Sequence, residues 1–312
     1  MTEADLLAQL RTLPLHEAAR GLADDAAVLG SSDGALVITH DMIVEGVHFL
    51  SADPPESVAW KLLAVNLSDL AAKGAAPIGV LLGQALSGDD AWDTAFTAEL
   101  GRALTQFGCT LLGGDTVALP ADAPRVFGLT AIGRAGPAGA PSRSGARAGD
   151  ALYVTGTVGD AGAGLELLRE GRDGPPRLIA AYRRPMPLIV EGQILAPLVT
   201  AMMDVSDGLL IDAQRMAAAS GLAIGIDLDR VPLSHDFIAH AGDDRPARLS
   251  AATAGDDYQL LFAAPDDEDW PVEVTRIGRF HTGAGLMLED RMGHVPLPEK
   301  LGWQHGPKGR PA

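Results

Sequence analysis

A chain of 312 residues with 47% hydrophobic and 21% charged side chains can bury a sizeable core, enough for two packed α/β domains. A formal net charge of −17 sets the surface against nucleic acid and anionic membrane, so neither is expected as a partner. A single cysteine, Cys109, excludes an intrachain disulfide framework and a thiolate metal cage, and its apolar neighbours give it the character of a small buried side chain.

The opening Met-Thr-Glu-Ala-Asp lacks the basic-then-apolar layout of a signal peptide, and no apolar run is long enough to span a bilayer; a soluble, cytoplasmic protein is expected. Thr2 is placed to cap a short helix to about Leu13. Ala35–Thr39 has the composition of a buried strand whose end is marked by His40 and Asp41. Pro54-Pro55 precede a helix from about Glu56 to Lys73, closed by Gly74. A strand over Ile78–Leu86, a helix over Asp89–Phe107 and strands over Thr110–Leu112 and Val126–Gly133 follow. From Gly136 to Gly149 the composition turns to Gly, Ala, Pro, Ser and Arg, which places a boundary between domains 1–137 and 138–312. Beyond it come a strand over Ala151–Thr155, a glycine-rich turn over Gly156–Gly164 and a helix from Leu165. Helices over Ile189–Leu198 and Ser206–Ala219 and strands over Ala223–Asp227 and Tyr258–Phe262 complete the pattern.

Six aspartates stand where strands or turns meet helices, among apolar or small neighbours: Asp25, Asp41, Asp69, Asp115, Asp204 and Asp207. An ionised carboxylate in such surroundings needs a helix N-terminus, a basic partner or a metal ion. Hard oxygen ligands without cysteine suit Mg²⁺, and Mg²⁺ points to phosphate chemistry. Each motif has an ordinary counterpart. Asp204-Val-Ser-Asp207-Gly also fits an N-cap, and Gly113-Gly114-Asp115-Thr116 alone is better read as a turn. Asn66 and Asp69 share one face of an otherwise apolar helix, which tips that pair toward function. The glycines of 156–164 miss both the Walker and the dinucleotide spacing, and close packing explains them equally well. Arg143, Arg147, Arg183 and Arg184 could hold phosphate or merely tie a linker to an acidic surface, and composition does not choose between these.

Thr39-His-Asp-Met-Ile-Val-Glu-Gly-Val-His48, Lys61-Leu-Leu-Ala-Val-Asn-Leu-Ser-Asp-Leu-Ala-Ala-Lys-Gly-Ala, Leu112-Gly-Gly-Asp-Thr116, Asp204-Val-Ser-Asp-Gly-Leu209 and Gly255-Asp-Asp-Tyr-Gln-Leu-Leu-Phe262 run in an order that resembles the thiamine-monophosphate kinases, from about Gly21 to Trp303. The resemblance implies the two-domain α/β fold of aminoimidazole ribonucleotide synthetase (PurM-like), with N-terminal sheets pairing across a homodimer into a β-barrel and a C-terminal α/β domain. It implies direct transfer of the γ-phosphoryl group of ATP to thiamine monophosphate, with several Mg²⁺ ions as cofactor. Carried over by position, the metal ligands are Asp25, Thr39, Asp41, Asp69, Asp115, Asp204 and Asp207, of which Asp41, Asp115 and Asp207 are the catalytic set. ATP is contacted by Gly114, Asp115, Arg143 and Ser206, and the thiamine substrate by His48, Asp256 and Trp303. The chain departs from the family at His40, where a Thr or Ser is usual, at Asp256, where Glu is usual, and at Leu22-Ala23 in the Gly21–Asp25 turn. Another enzyme of the same superfamily, of ribonucleotide cyclo-ligase or selenophosphate synthetase type, and a non-catalytic metal-binding protein are the alternative readings.

Overall fold

The computed structural model describes residues 11, 17–30, 34–120, 123–266 and 269–304; the helix expected between Thr2 and Leu13 lies outside them but for residue 11. Two sheets carry the fold. The first is built from β1 (Ala27–Leu29), β2 (Leu36–Val44), β3 (Ala75–Leu86), β4 (Thr110–Ala118) and β5 (Val126–Ala135), in the order β1-β2-β5-β3-β4. The second is built from β6 (Ala151–Thr155), β7 (Ala201–Asp204), β8 (Leu222–Asp227), β9 (Leu260–Ala264), β10 (Val274–Thr282), β11 (Gly285–Asp290) and β12 (Gly293–Val295), in the order β12-β11-β8-β10-β6-β9-β7. The helices are α1 (Pro55–Ala72), α2 (Asp90–Gln106), α3 (Asp160–Arg169), α4 (Pro176–Arg183), α5 (Ile189–Leu195), α6 (Leu209–Ala219), α7 (His235–Ala241) and α8 (Arg245–Thr253). The mixed α/β, two-sheet architecture is the one expected.

Helix α1 decides where the site lies. Pro55 at its first turn has the φ a helix needs, and Ala, Leu and Val then follow without a glycine. Its residues are buried on every side, as in a helix with no solvent face. Leu62, Leu63 and Leu67 join the core of the first sheet, while Ala71 and Ala72 pack with Tyr153, Met202 and Phe262 of the second. Polar residues on this helix are therefore held inside the junction of the two sheets. Among them are Lys61, Asn66, Ser68 and the capping residue Lys73, with Asp69 half-buried beside them.

Several expected elements differ in extent. Strand β2 does not stop before His40 and Asp41 but runs through them to Val44, because its pleat sends Val37, Thr39 and Ile43 inward and His40 and Met42 outward. Gly113-Gly114-Asp115-Thr116 is not a turn. It is the middle of edge strand β4, parallel to β3, and Gly114 is there because a Cβ would sit 1.9 Å from the Leu82 carbonyl oxygen. Helix α3 starts at Asp160, inside the glycine stretch, whose tightest member is Gly164: a Cβ there would lie 2.0 Å from the Leu178 carbonyl oxygen. Close packing is thus reason enough for those glycines. Helix α6 begins at Leu209, not Ser206, and the strand expected at Tyr258 begins at Leu260. Strands β1, β7, β10, β11 and β12 and helices α4, α7 and α8 were not legible as periodic patterns; most are short.

Candidate active site

Between the two sheets opens a cleft of about 1560 Å³, lined by residues from β2, α1, α3, β7 and the loops around residues 24, 206 and 256. Its floor is organised by α1. The Asn66 side-chain amide donates to the Leu62 carbonyl (2.9 Å), and its oxygen accepts the Asp41 backbone N–H (2.9 Å), which fixes β2 against the helix. Asp69, one turn on, accepts a short hydrogen bond from the Thr39 hydroxyl. Ser68 donates to Asp204 at the end of β7 (2.5 Å). Oxygens of Asp25, Asp69 and Asp204 thereby lie within 4.8 Å of one another.

Such crowding has an electrostatic signature. Burial pushes the Asp69 carboxyl well above the usual range, and the charges of Asp41 and Asp204 push it further. Burial also raises Asp204, to about 7, with Asp212 and Asp41 adding to the effect against the Ser68 hydrogen bond. Asp41 is raised by burial and by Asp207, with His40 acting in the opposite direction. Three inward-facing carboxylates whose ionisation is disfavoured together make a set of hard oxygen donors, whose chemistry suits a divalent cation.

Basic groups close the ring. Lys73, wholly buried, reaches Asp24 and Asp25 at 2.7 Å each and donates to the Met202 carbonyl at 3.1 Å. Burial acts to raise Asp24, but Lys73 and Arg20 outweigh it and hold this carboxyl below its usual range. Arg143 donates to the other oxygen of Asp25 in a short ion pair. Arg215 contacts Asp207 (2.5 Å) and Asp212 (3.0 Å). Asp212, fully buried and raised to about 6 by burial and by Asp207, accepts the backbone N–H groups of Ser206, Asp207 and Gly208 at 3.0–3.2 Å. That carboxylate holds the Asp204–Gly208 turn in shape, so the turn's capping residue lies inside the helix and not at Ser206.

His48, Asp256 and Trp303 also line the cleft. The His48 Nδ1 accepts the Val44 N–H (3.1 Å), Asp256 pairs with Lys61 (2.7 Å), and Trp303 is tied through its backbone N–H to the Asp207 carbonyl (2.8 Å).

The structure therefore gathers Asp25, Thr39, Asp41, Asp69, Arg143, Asp204, Ser206, Asp207, His48, Asp256 and Trp303 around one cleft. It does not bring Gly114 and Asp115 there. Both sit exposed on β4, and the pairing Asp115–Gly83–Gly128–Met42 puts Asp115 three strands, ~14 Å, from β2 and on the face of Met42. His40 lies on that face as well, where its Nδ1 meets the Thr130 hydroxyl (2.9 Å); His40 and Met42 border the cleft, whereas Asp115 does not. Arg183 and Arg184 do not line the cleft and are tied to Asp53 (2.8 Å) and Glu99 (2.7 Å). Lys61, Lys73, Asp212 and Arg215 were not singled out from the sequence. For Lys73 the available signal was a lysine closing an apolar helix, and for Asp212 a carboxylate in the first turn after Ser-Asp-Gly.

The family described as "AIR synthase related protein, N-terminal domain" matches residues 23–135, and its C-terminal counterpart matches residues 147–279. The chain is 40% identical to a thiamine-monophosphate kinase of Caulobacter vibrioides, covering 98% of this chain and 91% of that one. It is 38% identical to the Escherichia coli protein of the same name, over 86% and 84%. Among solved structures, one described as AaThiL complexed with AMPPCP and TMP superposes with a TM-score of 0.88 at 31% identity, covering 98% and 97% of the two chains.

Proposed function

Since the chain belongs to the thiamine-monophosphate kinase family, we propose that its cleft passes the γ-phosphoryl group of ATP directly to the phosphate of thiamine monophosphate, yielding thiamine diphosphate. The observation that carries this reading is the meeting of Asp25, Asp69 and Asp204, from three separate segments, with oxygens within 4.8 Å in a cleft that has room for two substrates.

The donor set of Asp25, Thr39, Asp41, Asp69, Asp204 and Asp207 fits Mg²⁺, which, when bound, screens the mutual repulsion of two phosphorylated reactants. The chain's own residues supply the rest. Arg143 offers a planar fork for phosphate oxygens beside Asp25, and Ser206 offers a hydroxyl at the mouth of the turn that Asp212 holds rigid. The His48 Nδ1 accepts the Val44 N–H, which fixes the ring against the cleft as a contact for the substrate. Asp256 and Trp303 line the same cleft and are assigned to the thiamine moiety. No general base is assigned, because the accepting phosphate oxygen is already ionised near neutral pH.

A homodimer accounts for Gly114 and Asp115. Strand β4 is an uncovered edge whose Leu111, Leu112 and Val117 are more than half exposed, with Leu81 and Met42 exposed on the adjoining strands. A second copy laid against this sheet covers that apolar surface and carries its Asp115 to the neighbouring cleft. The division at 137/138 follows the same reading, with dimer-forming and nucleotide-facing strands before it. Dependence on ATP puts the enzyme in the cytoplasm; no helix among the described residues is long and apolar enough to cross a membrane.

The test is incubation with ATP, Mg²⁺ and thiamine monophosphate, separating products by chromatography. Equimolar ADP and thiamine diphosphate are expected. Folded protein that yields no thiamine diphosphate above a protein-free control would refute the assignment.

A further inference from the structure

We infer that Lys61 is the positioning residue for the thiamine end of the cleft, one ammonium group that fixes His48 and Asp256 relative to each other across the junction of the two sheets. The inference rests on the proposed function and deepens it. Lys61 lies on α1 and is 2% exposed, so its charge is not there for solvent. Its Nζ donates to the His48 carbonyl oxygen at 3.0 Å and to Asp256 Oδ2 at 2.7 Å, and stands 4.0 Å from the centre of the Tyr182 ring. The two hydrogen-bonded partners are both residues of the substrate wall, and they lie on opposite sides of the chain's two-sheet division.

Each partner is held a second time from its own side. The His48 ring is anchored through the Val44 N–H (3.1 Å). Asp256 accepts the Tyr258 hydroxyl on Oδ1 (3.0 Å), and its backbone N–H donates to the Ser206 carbonyl (2.8 Å). Asp256 and Tyr258 both have positive φ, 62° and 51°, a conformation that side chains other than glycine keep only when their surroundings hold them. The Asp256 loop is thus a strained segment clamped by Lys61 and Tyr258. Lys61 also reaches the His48 loop. The consequence is chemical as well as geometric. Lys61 balances the Asp256 charge, so the wall meets a substrate with a hydrogen-bond acceptor of fixed direction and not with a bare anion.

Steady-state kinetics on the full-length protein, varying each substrate in turn, tests the inference with Lys61→Met, Lys61→Arg and Tyr258→Phe. Lys61→Met is expected to raise KM for thiamine monophosphate by about tenfold, as for loss of a hydrogen bond to a charged group, while KM for ATP stays within about twofold. Lys61→Arg should recover most of that loss, which repair of packing alone would not require. Tyr258→Phe, which frees the other Asp256 oxygen, should raise the same KM by a smaller factor and serves if Lys61→Met does not fold. An unchanged KM for thiamine monophosphate in Lys61→Met or Tyr258→Phe, or a parallel rise in both KM values, overturns the inference. Absence of thiamine diphosphate formation by the wild-type protein would instead overturn the functional reading beneath it.

Discussion

Replacing Lys73 by Met keeps a long unbranched side chain in a fully buried place while deleting its charge. Three contacts disappear, those to Asp24 and Asp25 at 2.7 Å and to the Met202 carbonyl at 3.1 Å. Removing one partner of a buried ion pair costs ~3–5 kcal/mol, because the other charge stays behind without compensation. Here compensation is partial. Asp24 keeps Arg20 (2.5 Å) and Ser142 (3.0 Å), and Asp25 keeps Arg143, which places the loss at the lower end, ~3 kcal/mol. Long chains lose about 2 °C of Tm per kcal/mol, so the metal-free variant should melt about 6 °C below wild type in a dye-binding thermal scan. Mg²⁺ should narrow that gap, since a divalent ion among Asp25, Asp69 and Asp204 supplies positive charge to the same cluster. The variant's gain in Tm on adding Mg²⁺ should therefore exceed that of wild type. Equal Tm values without metal would show that Lys73 is not the counter-ion of this cluster. A gain on Mg²⁺ no larger than that of wild type would show that metal and ammonium do not share it.

Other outcomes follow from the same geometry. Asp69→Asn should lower turnover by at least ~100-fold by loss of electrostatic stabilisation, yet raise the Tm of the metal-free protein by relieving repulsion with Asp41 and Asp204; calorimetry beside the kinetic assay checks both signs. Asp204 and Asp212 are raised to about 7 and about 6 when folded, so their contribution to stability is whole below the unfolded carboxylate range and is lost as pH rises through 6 and 7. Asp24, held below its usual value, acts oppositely only at low pH, so metal-free protein should melt higher at pH 6 than at pH 8, with saturating Mg²⁺ removing the difference. Asp115→Asn and Asp41→Asn should each be nearly inactive. After mixing and subunit exchange they should recover roughly a quarter of wild-type activity per site, because mixed dimers rebuild one complete cleft of two. No recovery, with exchange verified, would place Asp115 in its own chain's chemistry.

Legibility from sequence varied with the range of the interactions involved. Helix α1 was readable almost to the residue, because Pro55 and Gly74 bracket a predominantly apolar run and such signals are local. Asn66 and Asp69 were readable for the same reason, as polar residues three apart in that run. Strand β4 was misread because a glycine pair has the composition of a turn; its true cause, the Leu82 carbonyl beside Gly114, belongs to another strand. Short elements such as β7 and β12 carry too few residues for a period to show. Lys61 could not be found at all from its neighbours in the chain. What makes it informative is Asp256, 195 residues away.

The acidity of the chain poses a problem that the cleft resolves in part. A protein of net charge −17 should repel two phosphorylated substrates, and clustering aspartates at their meeting point would sharpen the repulsion. The structure counters this with cations placed unevenly. Lys73 and Arg143 sit at Asp25, Arg215 at Asp207, and Lys61 at Asp256. Among the described residues, no ion pair of that kind reaches Asp41 or Asp69; they have Asn66 and Thr39 as hydrogen-bonding neighbours, which orient carboxylates and strands without neutralising them. Charge is thus left over in the centre of the cluster and balanced at its rim. A site built that way gains most from a mobile divalent ion at the centre, and it makes substrate polyanions welcome only in company with that ion.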